Sequence, residues 1–272
     1  MENTYPRPDR DRISTMTALI LLAYALIRVA DLPTVAPEVT VAGLIVRFEI
    51  NTRLIMLTLT AALTAAGADW LLRSHPACEP AQSTAEHWIL PGLASFGLGA
   101  ILSRLPEGLG LWLGLPAAAV LLTSVLVAEY IVYDPEDPRY DLLALILRTL
   151  AYLLLAGLLF AINGAGVRAI FAVPLTFTAA GLVSWRLMRL EAVFAGTALR
   201  FAILIGALAA QLTWALHYWP TPPLKIALIN GLCVYLSYNM VGLIRSGEVG
   251  RGRVMEIVVV GIVGLLAIIL MG

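Results

Sequence analysis

The stretch "TAAGADWLLRSHPACEP", residues 64–80, sets Asp69, Arg73 and His75 within two helical turns of one another. An acid, a base and an imidazole at that spacing suit proton transfer or ion binding. They suit equally well the end of an apolar helix that has reached water. Glu129, Arg148, Arg200 and Glu256 interrupt other apolar runs in the same way. The acidic stretch "YDPEDPRYD", from Tyr133 to Asp141, adds Asp134, Glu136, Asp137 and Asp141. Carboxylates grouped like this can hold Mg²⁺ and, through it, a diphosphate. Enzymes that bind isoprenoid diphosphates in this manner use two aspartate-rich motifs, and the chain has one. Pro135 and Pro138 make the stretch a stiff, solvated turn, with Asp141 placed to cap the next helix.

Two other segments carry ligand-capable atoms. "RSHPACEPAQSTAEH" offers His75, Cys78, Glu79 and His87, but zinc sites show tighter recurring spacings. "LHYWPTPPLK" runs from His217 to Lys225, and its Tyr218 and Trp219 suit the membrane–water interface, where amphipathic rings settle. The segment also suits a lip for a lipid-like molecule. With three histidines in all and no paired histidines inside a span, a bis-histidine haem is not expected, and no cofactor is implied. GxSxG, HExxH, Walker A and a strand-to-helix GxGxxG are all missing. Cys78 and Cys233 lie far apart and form no CxxC.

The elements that must position these groups follow from composition. The 272 residues are 60% hydrophobic and 13% charged, against roughly 45–50% and about 25% in soluble domains. Apolar runs of spanning length, roughly 20 residues, recur throughout. The expected fold is all-α, a polytopic transmembrane bundle in a single domain over residues 1–272. Nine spans are predicted near 13–30, 54–72, 88–104, 110–133, 142–162, 169–187, 194–216, 224–244 and 254–271. Residues 1–12 form a tail, and "PRPDRDR" with the following apolar run reads as a retained first span, because Arg28 and Asp31 interrupt a cleavage region. Residues 31–53 read as an interfacial segment, in which Val39, Val41 and Ile45 alternate like a short strand while Arg47 and Glu49 make a poor span. "TALILLAYAL" and "ALILRTLAYLLL" echo each other, as do "GADWLLR" and "GLVSWRLMR", which would fit a parallel four-span repeat.

Basic residues near span ends set orientation. An internal N-terminus gathers ten arginines inside, among them Arg73, Arg139, Arg245 and Arg253, against five or six basic residues outside. This topology places the N-terminus in and the C-terminus out of a bacterial inner membrane. Asp69, Arg73, Glu129, Arg148, Arg200 and Glu256 then form a polar inner-leaflet set. Charges at such depth cost several kcal/mol unless they pair, snorkel or meet water. Glu129 and Arg148 belong to consecutive antiparallel spans and are the pair expected first.

"GADWLLRSHP", "EHWILPGL", "AEYIVYDPEDPRYD" and "LHYWPTPPLKIALINGL", taken in order, resemble a family of bacterial polytopic membrane proteins known only as a domain of unknown function. The similarity runs from about Asn51 to Glu256. It implies a multi-span bundle and no reaction. Three functions are therefore weighed. The first is a non-catalytic scaffold or subunit of a membrane complex. The second is a transporter or lipid carrier with an inner-leaflet polar site. The third is a lipid or isoprenoid-diphosphate enzyme using Asp134–Asp141. Membrane lipids and other membrane subunits are the expected partners. Nucleic acid is not, since net charge is zero and no basic patch interleaves with aromatics.

Overall fold

The computed structural model describes residues 6–29, 38–41, 44–47, 52–79, 83–106, 108–246 and 250–270. Among them are nine α-helices: α1 (Arg10–Val29), α2 (Thr52–Leu72), α3 (Ile89–Leu102), α4 (Leu109–Ile131), α5 (Tyr140–Gly164), α6 (Ala169–Leu190), α7 (Ala195–His217), α8 (Pro223–Ser246) and α9 (Arg251–Leu270). A 3₁₀ turn, Ala85–Trp88, leads into α3. The strand-like alternation before α2 becomes an antiparallel hairpin of β1 (Glu38–Val41) and β2 (Leu44–Arg47), with Glu38 opposite Arg47 in register. Asp31 lies outside the described residues.

Seven helices, α2 and α4–α9, are long and apolar enough to cross a membrane. The other two predicted spans differ for physical reasons. α1 starts on Arg10, Asp11 and Arg12 and ends with Arg28, so charge sits at both ends. α3 has 14 residues, about 21 Å of helix, against a hydrocarbon core of about 30 Å. Pro91 sits in its first turn, where a missing N–H leaves no helical bond unmade.

The helices group into two compact units, Met1–Leu147 and Arg148–Gly272, with the boundary inside α5. The core of the first unit is built from Ile20, Leu71, Leu122 and Leu126. Hydroxyl hydrogen bonds cross it. Tyr24 donates to the Ser95 carbonyl at 2.7 Å, Thr64 donates to Ser95 Oγ at 2.8 Å, and Thr17 meets Thr123 at 3.2 Å. These bonds tie α1 to α3 and α4, and α2 to α3. Lipid offers no alternative partners, so buried polar groups must find one another.

In the second unit α6 and α7 pack through small residues, with Ala179, Ala180, Ala198, Ala202 and Ala209 all buried. Tyr238 of α8 donates to the Leu187 carbonyl of α6 at 3.2 Å. α9 lies on α8, with Gly261 and Gly264 against Leu236 and Leu232. α6 ends where Ala192 takes a left-handed φ of 53°, and the Val193 N–H returns to the Met188 carbonyl at 3.2 Å. This reversal fixes Glu191 at the helix end.

Candidate functional site

In the first unit the polar groups gather at the end where α1 begins and α2 and α4 finish. The backbone tightens after α2, with Ser74 N–H on Leu71 O and His75 N–H on Leu72 O. Pro76 then prevents continuation. Asp69 accepts Arg73 Nε at 2.7 Å and also the Thr84 hydroxyl, which in turn accepts Trp88 Nε1–H at 3.2 Å. Asp69 thus stitches α2 to the turn that leads into α3. Its roles are helix termination and loop docking, and Arg73 remains half-exposed.

His75 is buried against Tyr130, with ring centroids 4.6 Å apart, and lies 5.3 Å from Tyr133. Its Nδ1 accepts the Ala77 N–H at 3.1 Å, so the neutral ring carries its proton on Nε2. Burial lowers its pKa, with Asp134 and Asp137 pulling the other way. The native state therefore favours neutral His75. The stability this contributes is complete above the ordinary value of 6.5 and is lost as pH falls through the lowered value. Thermal unfolding in detergent should show Tm falling as pH drops below the ordinary value of 6.5, and His75→Gln should flatten that slope. An unchanged slope in the variant would remove His75 as its source.

Glu129 is 1% exposed, and its Oε2 lies 2.8 Å from His87 Nδ1. His87 Nε2 lies 3.8 Å from Glu86 Oε1, and its ring is 5.2 Å from Tyr133. The Tyr133 hydroxyl is buried with no hydrogen-bond partner among the described residues, and burial raises its pKa. The pair expected from the sequence was Glu129 with Arg148. Glu129 has His87 as its partner, and Arg148 has Glu191 at 3.2 Å. Consecutive spans made the first pairing plausible, but the 3₁₀ turn before α3 carries an imidazole to Glu129 from 42 residues away.

The acidic stretch is closed on itself. Asp134 Oδ1 accepts the Glu136 N–H at 3.0 Å. Asp137 is buried, not solvated, and accepts the Arg139 N–H at 2.8 Å and Arg139 Nη2 at 2.6 Å. The Arg139 guanidinium holds the Asp137 carboxyl below the usual carboxylate range. Asp141 stands inside the first turn of α5 instead of capping it, since the helix begins at Tyr140. There it complements the helix dipole. His, Cys, Asp and Glu side chains form no group of three able to hold a metal among the described residues. Cys78 and Cys233 are free thiols, and the Cys78 thiol lies 3.8 Å from the Glu79 carbonyl. His217 packs on Tyr218 at 5.6 Å, while Tyr218 and Trp219 are exposed and Lys225 is half-buried.

The second unit contains a different arrangement. Arg148 lies eight residues into α5, and its guanidinium meets Glu191 from the end of α6. Arg245 of α8 lies 3.8 Å from the other Glu191 oxygen. Around them opens a cavity of about 520 Å³, also lined by Tyr235, Tyr238, Arg253 and Glu256. Three guanidiniums face two carboxylates across it. Arg148 Nε and the Tyr152 hydroxyl are buried without hydrogen-bond partners among the described residues. Of the sequence candidates, Arg148 and Glu256 share this cavity. Arg200 is exposed on α7 outside the lining, and Asp69, Arg73 and Glu129 belong to the first unit. Glu191 and Arg245 went unselected because Glu191 sits at a span end, where a charge needs no explanation.

A family model described as "Protein of unknown function (DUF5656)" matches residues 32–271. The chain belongs to that family. No curated protein and no solved structure matches it. The matched region holds α2–α9 and both polar sites. Three of the four motifs noted in the sequence meet at one place in this member, since "GADWLLRSHP", "EHWILPGL" and "AEYIVYDPEDPRYD" supply Asp69, His75, His87, Glu129 and Tyr133.

Proposed function

We propose that this protein is a multi-pass membrane carrier that binds the anionic headgroup of an amphiphile in the cavity of its second unit. The observation that carries this reading is the arginine excess in that cavity, Arg148, Arg245 and Arg253 against Glu191 and Glu256, with Arg148 Nε unpartnered. A buried guanidinium N–H without an acceptor is costly, and a phosphate or carboxylate oxygen relieves it with a charge-assisted bond. The orientation expected from the basic residues sets Arg148, Arg245 and Arg253 on the inner side, within reach of lipid headgroups. The enzyme reading loses its support, because Asp134 and Asp137 are engaged by their own loop. The subunit reading draws on α9, whose most apolar stretch is only 6% buried. Stoichiometric partners recovered in mild detergent would move the assignment there.

Native mass spectrometry of the protein released from phosphatidylglycerol-containing nanodiscs tests the carrier reading. Arg148→Gln and Arg245→Gln should each reduce retained phosphatidylglycerol about tenfold, the equivalent of one charge-assisted hydrogen bond. Arg200→Gln, outside the cavity, should retain it fully. Equal retention in all three would overturn the proposal.

A further inference from the structure

A second cavity, of about 290 Å³, lies in the first unit at the end opposite Glu129 and His87. α1 contributes Tyr24, Ile27 and Arg28, α3 contributes Gly99, Leu102 and Ser103, and α4 contributes Leu111, Trp112 and Leu115. Its polar groups are nearly all engaged elsewhere. The Tyr24 hydroxyl donates to Ser95, and Ser103 Oγ donates to the Ala100 carbonyl. A water held inside would need two to four polar partners, which these walls do not offer, whereas hydrocarbon needs none.

Arg28 is the exception. One bond is made by its guanidinium, from Nη1 to the Ser103 carbonyl at 3.0 Å. Its charge has no carboxylate partner among the described residues. A guanidinium carries five N–H donors, and the bond to Ser103 is the one made among the described residues. Trp112, 75% exposed on the first turn of α4, marks headgroup depth, where indole rings collect. A cation at that depth beside a hydrocarbon slot matches the two halves of one molecule. The volume is at the lower bound of ligand pockets, roughly 300 Å³, which suits a single chain better than a whole lipid.

We propose that this cavity holds one acyl chain of an anionic phospholipid whose phosphate is bound by Arg28. The site is separate from the arginine cavity of the second unit and does not depend on that assignment.

The test uses the full-length protein in phosphatidylcholine nanodiscs containing a minority of phosphatidylglycerol with a photoreactive group in its acyl chain. After irradiation, labelled peptides are mapped by mass spectrometry. Labelling is expected on the α4 segment Leu111–Leu115 and on Leu102. It should fall about tenfold in Arg28→Gln, matching loss of one charge-assisted bond, and persist in Arg28→Lys. Ala25→Leu, at an exposed position on the cavity wall, fills the slot without touching the core and should also suppress labelling. It serves as the decisive variant if Arg28→Gln does not fold. Photoreactive phosphatidylcholine should label the same peptides more weakly. Equal labelling by both lipids with no response to Arg28→Gln or Ala25→Leu would reduce the site to ordinary boundary lipid and overturn the proposal, as would no label at all on these residues.

Discussion

Replacing Glu129 with alanine should destabilise the folded protein by about 3–5 kcal/mol, the cost of removing one partner from a buried charged pair. Glu129 is almost wholly enclosed, and its carboxylate sits 2.8 Å from His87 Nδ1. The pair shares a proton whichever atom carries it. Alanine leaves the imidazole buried without that partner. Glu129→Gln keeps an acceptor oxygen of the same shape and should lose much less. Thermal unfolding in mild detergent, followed by tryptophan fluorescence, would show a Tm drop of about 10 °C for alanine. If alanine and glutamine melt together near the unmodified protein, Glu129 does not anchor α4 to the turn before α3.

Gly206→Ala is the second large effect. A Cβ at position 206 would lie 2.8 Å from the Phe177 carbonyl oxygen and 3.4 Å from Gly181 Cα. Both are backbone atoms of α6, so relief requires the two helices to separate. Overpacking of this kind costs roughly 1–3 kcal/mol, and Gly206→Leu should exceed it. Gly67→Ala gives the contrast. Its Cβ would meet the terminal methyl of Met16 at 2.1 Å, a nominally worse clash. That methyl ends a flexible chain and can swing aside, so the loss should stay below about 1 kcal/mol. A Gly67→Ala penalty as large as that of Gly206→Ala would contradict the helix-contact account of the second unit.

Much of the architecture was legible because a bilayer imposes a length on each helix. α5 at Tyr140–Gly164 and α8 at Pro223–Ser246 fall within three residues of their predicted bounds. The hairpin announced itself through the alternation of Val39, Val41 and Ile45. α3 was overestimated as a span, since its 14 residues are too few for the hydrocarbon core.

The sites were less legible, for identifiable reasons. Asp69 was rightly suspected of needing a partner, and Arg73 follows from i,i+4 spacing. Thr84, however, approaches across a loop whose path no spacing rule gives. Glu129 was assigned an arginine on the consecutive antiparallel span, whereas the structure sets it 2.8 Å from a histidine noted only as a weak zinc ligand. Arg148 was marked as costly in lipid. Its partner Glu191 is 43 residues away, placed by the reversal at Ala192. Asp69, Glu129 and Arg148 each have a partner, and which partner is a property of the tertiary structure.

The claim that the second unit binds an anionic amphiphile is tested most directly by an experimental structure of the protein extracted with its native lipids. The expected result is an anionic headgroup in the cavity between Arg148, Arg245 and Arg253, with an oxygen within hydrogen-bond distance of Arg148 Nε. A cavity filled instead by a helix of another subunit, or closed by direct contact of Arg253 and Glu256 with no lipid present, would contradict it.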